Sequence, residues 1–354
     1  MRKSITIFMI AALIFLAMPV FSAETKVEGR IYSSWMLNAS KGAESYNTFD
    51  LGRSYITVKS KLSDYTSVNI TTDLRRVDAY DGYTIVLKYG YASWKPKFTN
   101  EYLTITFGLQ PTKYIEAVDG NFWGRRYIAQ SIGDVRSFLT TSDLGLTFNM
   151  NLDKQGNYGS AGLAILNGTK YSDVDENNKQ KDFNPYFVVK PLPDDADFGQ
   201  SQIAGQFYYG TRNVFIDTSM NAGDYRRMLL SLGGKLAYKS MIDFGFDFNL
   251  NSLAKQGLEG ADLNQLGLSF FGSLYFKDMA PDIMALRTLD FFGRLDIYDP
   301  NTDGEKDGET QFLAGVECVP IKGIAASLNF RITTYERENS ESSKYLYLNS
   351  KFRF

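Results

Sequence analysis

The chain has 354 residues, with 38 Lys and Arg against 40 Asp and Glu, for a formal charge of −2. That balance excludes a strongly basic nucleic-acid binder as a first expectation. The absence of histidine removes Ser-His and Cys-His nucleophilic catalysis and His-ligated metal sites, and a single cysteine, Cys318, removes an intrachain disulfide.

At the amino terminus Arg2 and Lys3 precede an apolar run from Ile5 to Val20, with small residues at Ser22 and Ala23. This is the layout of a secretory signal peptide, residues 1–23, with cleavage after Ser22 also compatible. Residues 24–354 read as one domain, because no linker-like shift in composition interrupts them. No later stretch approaches the ~20 consecutive apolar residues that a spanning helix needs. If this chain spans a membrane, strands must do it.

About sixteen candidate strands follow, and fourteen or eighteen also fit the spacing. The first two are 26–37 and 49–62. The third sets Val68, Ile70 and Leu74 against Asn69, Thr71, Asp73 and Arg75, and the fourth sets Ile85 and Leu87 against Thr84 and Lys88. The fifth is 102–110. The sixth alternates from Asp143 to Leu152, and further strands are expected at 158–166, 183–190, 200–209 and 227–239. The eleventh sets Ile242, Phe244, Phe246, Phe248 and Leu250 against Asp243, Gly245, Asp247, Asn249 and Asn251. Strands 265–276, 289–298, 311–319 and 324–335 lead to the last, 344–354. There Leu346, Leu348, Phe352 and Phe354 alternate with Tyr347, Asn349, Lys351 and Arg353.

A period of two means one apolar and one wet face per strand. Sixteen such strands would leave a soluble sandwich with two very wet sheet faces. They suit a closed wall with water inside and lipid outside. Connections after even-numbered strands are mostly short, as at Ser63-Asp64-Tyr65. Those after odd-numbered strands are mostly long and polar, as at 38–48, 167–182, 211–226 and 299–310. That is the asymmetry of short periplasmic turns and long external loops. The expected fold is an all-β transmembrane antiparallel β-barrel, wide enough for an aqueous channel.

The third external loop, 111–137, is the candidate constriction. It carries Tyr114, Phe122, Trp123 and Tyr127, the cations Lys113, Arg125, Arg126 and Arg136, and the acids Glu116, Asp119 and Asp134. So many rings favour packing inside the barrel, and paired arginines in a narrow pore select anions. The bland reading is rim packing, with each arginine satisfying a local carboxylate. On the wall the charges nearly balance. Lumen-phase cations include Arg75, Lys88, Lys235, Arg294, Arg331, Lys351 and Arg353; lumen-phase acids include Asp73, Asp143, Asp243, Asp247, Asp290, Asp296 and Glu317.

The motif Leu51-Gly52-Arg53-Ser54-Tyr55, leading to Leu62-Ser63-Asp64, resembles a segment of the phosphate-selective-type porins of Gram-negative outer membranes. Thr106-Phe107-Gly108-Leu109-Gln110-Pro111, Trp123-Gly124-Arg125-Arg126-Tyr127, Ser142-Asp143-Leu144-Gly145 and Ala164-Ile165-Leu166-Asn167-Gly168 are similar to the segments that follow in that family. The similarity is concentrated in residues 50–170. It implies an outer-membrane porin, commonly a trimer; separately, the last strand, ending in Phe354, resembles that of outer-membrane β-barrels, whose terminal Phe is read by the barrel assembly machinery. The family's lysine and arginine pathway does not match residue by residue.

Asp299, Asn301 and Asp303 with Gly304 match the opening of an EF-hand calcium loop, but the twelfth position is Thr310 and the same residues serve any long turn. No cofactor is expected. Cys318 is in phase with Phe312, Ala314 and Val316 and reads as a small lipid-side residue. The function expected is passive diffusion of small hydrophilic solutes, with anions or phosphate preferred. The competing expectation is a plugged structural or adhesive barrel. A barrel enzyme would need an unusual carboxylate or Lys mechanism.

Overall fold

In the computed structural model the described residues are 24–77, 82–173, 175–216, 219, 221–280, 282–284 and 286–354. The expected signal peptide, 1–23, lies outside them.

Sixteen strands form one closed antiparallel barrel in which each pairs with its sequence neighbours and the first pairs with the last. They are β1 (Glu24–Asn38), β2 (Asn47–Lys61), β3 (Thr66–Val77), β4 (Gly82–Trp94), β5 (Leu103–Pro111), β6 (Ser142–Asn151), β7 (Gly159–Leu166) and β8 (Asp182–Val189). The second half is β9 (Gln202–Thr211), β10 (Arg226–Tyr238), β11 (Ile242–Leu253), β12 (Leu263–Tyr275), β13 (Leu289–Asp299), β14 (Glu309–Ile321), β15 (Ile324–Tyr335) and β16 (Ser343–Arg353). The periodicity places every one of them, with ends that move by a few residues.

Burial runs opposite to that of a soluble protein. On β11, Asp243, Asp247, Asn249 and Asn251 are buried, whereas Phe244 is 57% and Leu250 40% exposed. The polar phase faces the lumen and the apolar phase faces outward, the arrangement lipid stabilises. Closure satisfies the strand edges that hydrocarbon would leave unpaired. At the seam the Gly29 amide donates to the Phe354 carbonyl at 2.9 Å, and the Phe354 amide returns a bond at 3.1 Å. A Cβ on Gly29 would fall 2.1 Å from the Phe354 ring, so the last side chain covers the glycine.

The expected asymmetry of connections is present in part, since the connections 190–201 and 276–288, both after even-numbered strands, are long. The segment between β12 and β13 contains a short helix, α3 (Phe276–Met279), where a tight turn would have matched its position. Pairing of β4 with β5 stops at Gly90 and Leu109, while β4 continues back to Gly82. After Pro111 the chain leaves the wall. Gly108 makes the close approach there: its φ is +124°, and a Cβ would sit 2.3 Å from the Gly90 carbonyl oxygen.

Candidate functional site

The chain that leaves β5 returns at Ser142, so residues 112–141 connect β5 to β6. The segment begins as a helix, α1 (Lys113–Ala117), widens into a π-type turn (Val118–Phe122), and contains a second short helix, α2 (Ile132–Val135). Its apolar side chains are buried against wall residues of the lumen phase. Tyr114, Val118, Phe122, Trp123, Tyr127 and Ile128 form one cluster with Ala204, Phe271, Phe292, Leu313 and Ala325 of β9 and β12–β15. The Trp123 ring meets Phe271 and Phe292 edge-on at 5.8 and 5.9 Å. Ile115, Phe138 and Leu139 form a second cluster with Ala164, Leu166, Tyr208 and Leu229. The segment therefore packs along β7–β15, with both of its ends anchored.

Polar contacts fix its register. The Tyr114 hydroxyl donates to Asp247 Oδ1 at 2.7 Å. Arg125 donates through Nε to Glu317 Oε2 and through a terminal nitrogen to Ser273 Oγ, both at 2.8 Å, with Asp290 at 4.0 Å. The Tyr127 hydroxyl donates to the other Glu317 oxygen at 2.7 Å. Arg294 grips Asp296 with two bonds, at 2.7 and 2.8 Å, and donates to the Gln130 carbonyl at 2.8 Å. Arg331 donates to the Ile128 carbonyl and stacks on Tyr347. These are buried, charge-assisted bonds, and Arg125 and Arg294 each have a carboxylate partner.

The two consecutive arginines separate. Arg125 is buried against β12–β14 and does not line the cavity described below. Arg126 pairs with Asp119 and Asp134 within the segment and borders that cavity. Burial works against the charge on Arg126, but those two carboxylates outweigh it and hold the guanidinium charged. Burial pushes the Asp119 carboxyl above the usual carboxylate range, against the pull of Arg126 and of the Ser131 amide. Arg136 pairs with Glu309 and lies over the Tyr298 ring at 4.3 Å, at the loop ends of β13 and β14. Lys113 and Glu116 pair at 2.9 Å, and Glu116 borders the cavity.

On the side the segment leaves uncovered, a cavity of about 490 Å³ lies against β1–β4 and β16. Its wall includes Arg30, Tyr32, Tyr55, Lys59, Lys88, Tyr89, Lys351 and Arg353. Of the lumen-phase residues expected to line a channel, Lys88, Lys351 and Arg353 do so. Asp247, Arg294, Asp296 and Arg331 instead lie beneath the segment. Lys235 is half-buried on β10, away from this cavity, and Arg75 stacks on Tyr171 at 5.5 Å.

Tyr171 belongs to the β7–β8 connection. Reciprocal backbone bonds of 3.0 Å between Lys170 and Asp173 put it at the tip of a tight turn. Its hydroxyl accepts from Arg53 at 3.0 Å and donates to Asp73 Oδ2 at 3.2 Å. Asp143 holds the base of the turn through the Gly168 amide and the Thr169 hydroxyl, each at 2.9 Å.

The calcium candidates serve the turn itself. Asp299 Oδ1 accepts from the Asn301 amide at 3.0 Å and Asn301 Oδ1 from the Asp303 amide at 3.4 Å. Among the described residues no group of three acidic, Cys or His side chains is arranged to hold a metal ion.

Sequence reasoning missed the landing surface. Phe271 stands between Ser269 and Ser273, Phe292 between Asp290 and Arg294, and Leu313 between Gln311 and Gly315. A large apolar residue on an otherwise polar phase was the available signal.

No family model matches the chain, and no curated protein matches it by sequence. Solved structures match in fold. The outer membrane channel DcaP of Acinetobacter baumannii superimposes with a TM-score of 0.66 at 8% identity, over 94% of this chain and 97% of its own. An anion-selective porin from Comamonas acidovorans gives 0.65 at 11% identity, over 94% and 100%. OmpT of Vibrio cholerae gives 0.63 at 10% identity, over 95% and 99%. The fold is that of outer-membrane porin barrels. With its apolar exterior, it places the chain in the bacterial outer membrane.

Proposed function

We propose that this barrel is a passive diffusion channel for small hydrophilic solutes, with a preference for anions. One observation carries the reading. The cavity left open beside the internal segment is bordered by six cations (Arg30, Lys59, Lys88, Arg126, Lys351 and Arg353) against three carboxylates (Glu28, Glu116 and Asp119). Walls of low dielectric amplify such an imbalance, raising the local concentration of anions. Segment 112–141 is the constriction: it occupies the side of the lumen beneath β9–β15 and confines solutes to the cationic side. Its own Arg126 is neutralised by Asp119 and Asp134, so the wall supplies most of the selectivity. Phosphate is one small anion such a lining accommodates, as the resemblance of residues 50–170 to phosphate-selective-type porins implies. Residues 1–23 serve as the export signal, and the working assembly is a homotrimer; a related fold, OmpT of Vibrio cholerae, has been solved in a trimer form.

A second reading is a plugged structural barrel. Tyr171 favours it, because the tip of the β7–β8 connection lies over Lys88 at the cavity wall. Planar-bilayer recording of the folded protein in symmetrical KCl separates the two. Steady open conductance supports the channel; its absence from correctly folded protein supports the plug.

A further inference from the structure

We propose that the open cavity is a binding station for small aromatic carboxylates, which deepens the anion-channel reading and rests on it. Lys88 motivates the idea. It is 4% exposed, lines the cavity, and pairs with no carboxylate among the described residues. Its hydrogen-bond partner is the Tyr55 hydroxyl, at a long 3.5 Å. The rings of Tyr55, Tyr171 and Tyr89 lie 4.8, 5.4 and 5.7 Å from its ammonium. Such rings offset part of the desolvation of a buried cation, and a bound anion would offset the rest.

The neighbouring lining extends this site into a row. Tyr55 meets Tyr32 edge-on at 5.7 Å, Tyr32 meets Tyr127 at 6.2 Å, and the Lys351 ammonium lies 4.7 Å from the Tyr127 ring. Three tyrosine rings are thus bracketed by two ammonium groups along one cavity. A ligand with a flat apolar ring and one carboxylate matches that order: the ring meets the tyrosines, and the carboxylate meets Lys88 or Lys351. A sugar phosphate fits less well, because the row presents tyrosine ring faces, and a polyol is best held by free carboxylates. The nearby carboxylates are already engaged, Asp119 by Arg126, Glu116 by Lys113 and Glu28 by Lys59.

The test is titration calorimetry of benzoate, cyclohexanecarboxylate, acetate and inorganic phosphate into the full barrel folded in detergent. Benzoate is expected to bind at least about tenfold more tightly than acetate or phosphate, with cyclohexanecarboxylate between them. Lys88→Gln is expected to weaken benzoate about tenfold, and Tyr32→Leu to remove its advantage over cyclohexanecarboxylate. Heat-modifiable gel mobility identifies variants that have folded, and Lys351→Gln, at the more open end of the row, gives an independent reading. Benzoate binding no tighter than acetate overturns the proposal, whatever the conductance. Benzoate binding to a barrel that never conducts supports the site and overturns the channel reading alone.

Discussion

Arg125 Nε donates to Glu317 Oε2 at 2.8 Å, joining the middle of the internal segment to β14 across 192 residues of sequence. Both side chains are almost fully buried, at 5% and 7% exposure. Removing Arg125 leaves Glu317 buried with the Tyr127 hydroxyl alone, and removing Glu317 leaves Arg125 with Ser273 and the more distant Asp290. Glu317→Ala or Arg125→Ala is expected to cost about 3–5 kcal/mol, and the double variant less than the sum. Urea unfolding followed by heat-modifiable mobility checks this. Because Arg125 does not border the cavity, Arg125→Met is expected to leave ion selectivity unchanged, and a change in reversal potential would place it in the pathway.

Trp123 fixes the same segment through apolar contact. Trp123→Ala removes both edge-on contacts, with Phe271 and Phe292, and is expected to cost about 3–5 kcal/mol. Released from the wall, the segment no longer confines the lumen, so single-channel conductance is expected to rise with added noise. Unchanged conductance in a folded variant would mean that the segment does not set the bore.

Much of this was legible in the sequence, and the boundary has a physical cause. Alternation is local, so Phe244 through Asn251 declares its two faces without any partner. The ring density of 111–137 likewise marks it for packing. Pairing is not local. Nothing near Arg125 announces Glu317 or Ser273, whereas the local carboxylates that neutralise Arg126, Asp119 and Asp134, were in view as the bland reading of the loop. The two arginines look alike in sequence, yet one anchors the segment and the other borders the cavity. The near-even balance of lumen charges was also readable, but the sign at the opening depends on which wall the segment covers. Phe271, Phe292 and Leu313 decide that.

The outward face of β11 is open to a direct test. Phe246→Arg puts a guanidinium on the lipid side near the middle of the strand and is expected to cost about 2–4 kcal/mol. Asn69→Lys, on the lumen side of β3, is expected to change stability by less than about 0.5 kcal/mol. Refolding titrations in lipid vesicles compare them. Equal costs would contradict the assignment of faces.

Tyr171 is expected to limit access to the cavity from the loop side. In a Cys318→Ser background, a cysteine-directed cationic reagent added externally is expected to label Lys88→Cys several-fold faster when Tyr171→Ala is also present, since local opening governs such rates. Equal labelling rates would show that the tip of the turn does not cover Lys88.

If cations on β1, β2, β4 and β16 make the passage prefer anions, single channels under a KCl gradient reverse on the chloride side. That potential is expected to move towards potassium when Arg30, Lys351 and Arg353 are replaced together by Gln. A potassium-side value in the unaltered protein, or a chloride-side value indifferent to the triple replacement, would contradict that role for these cations.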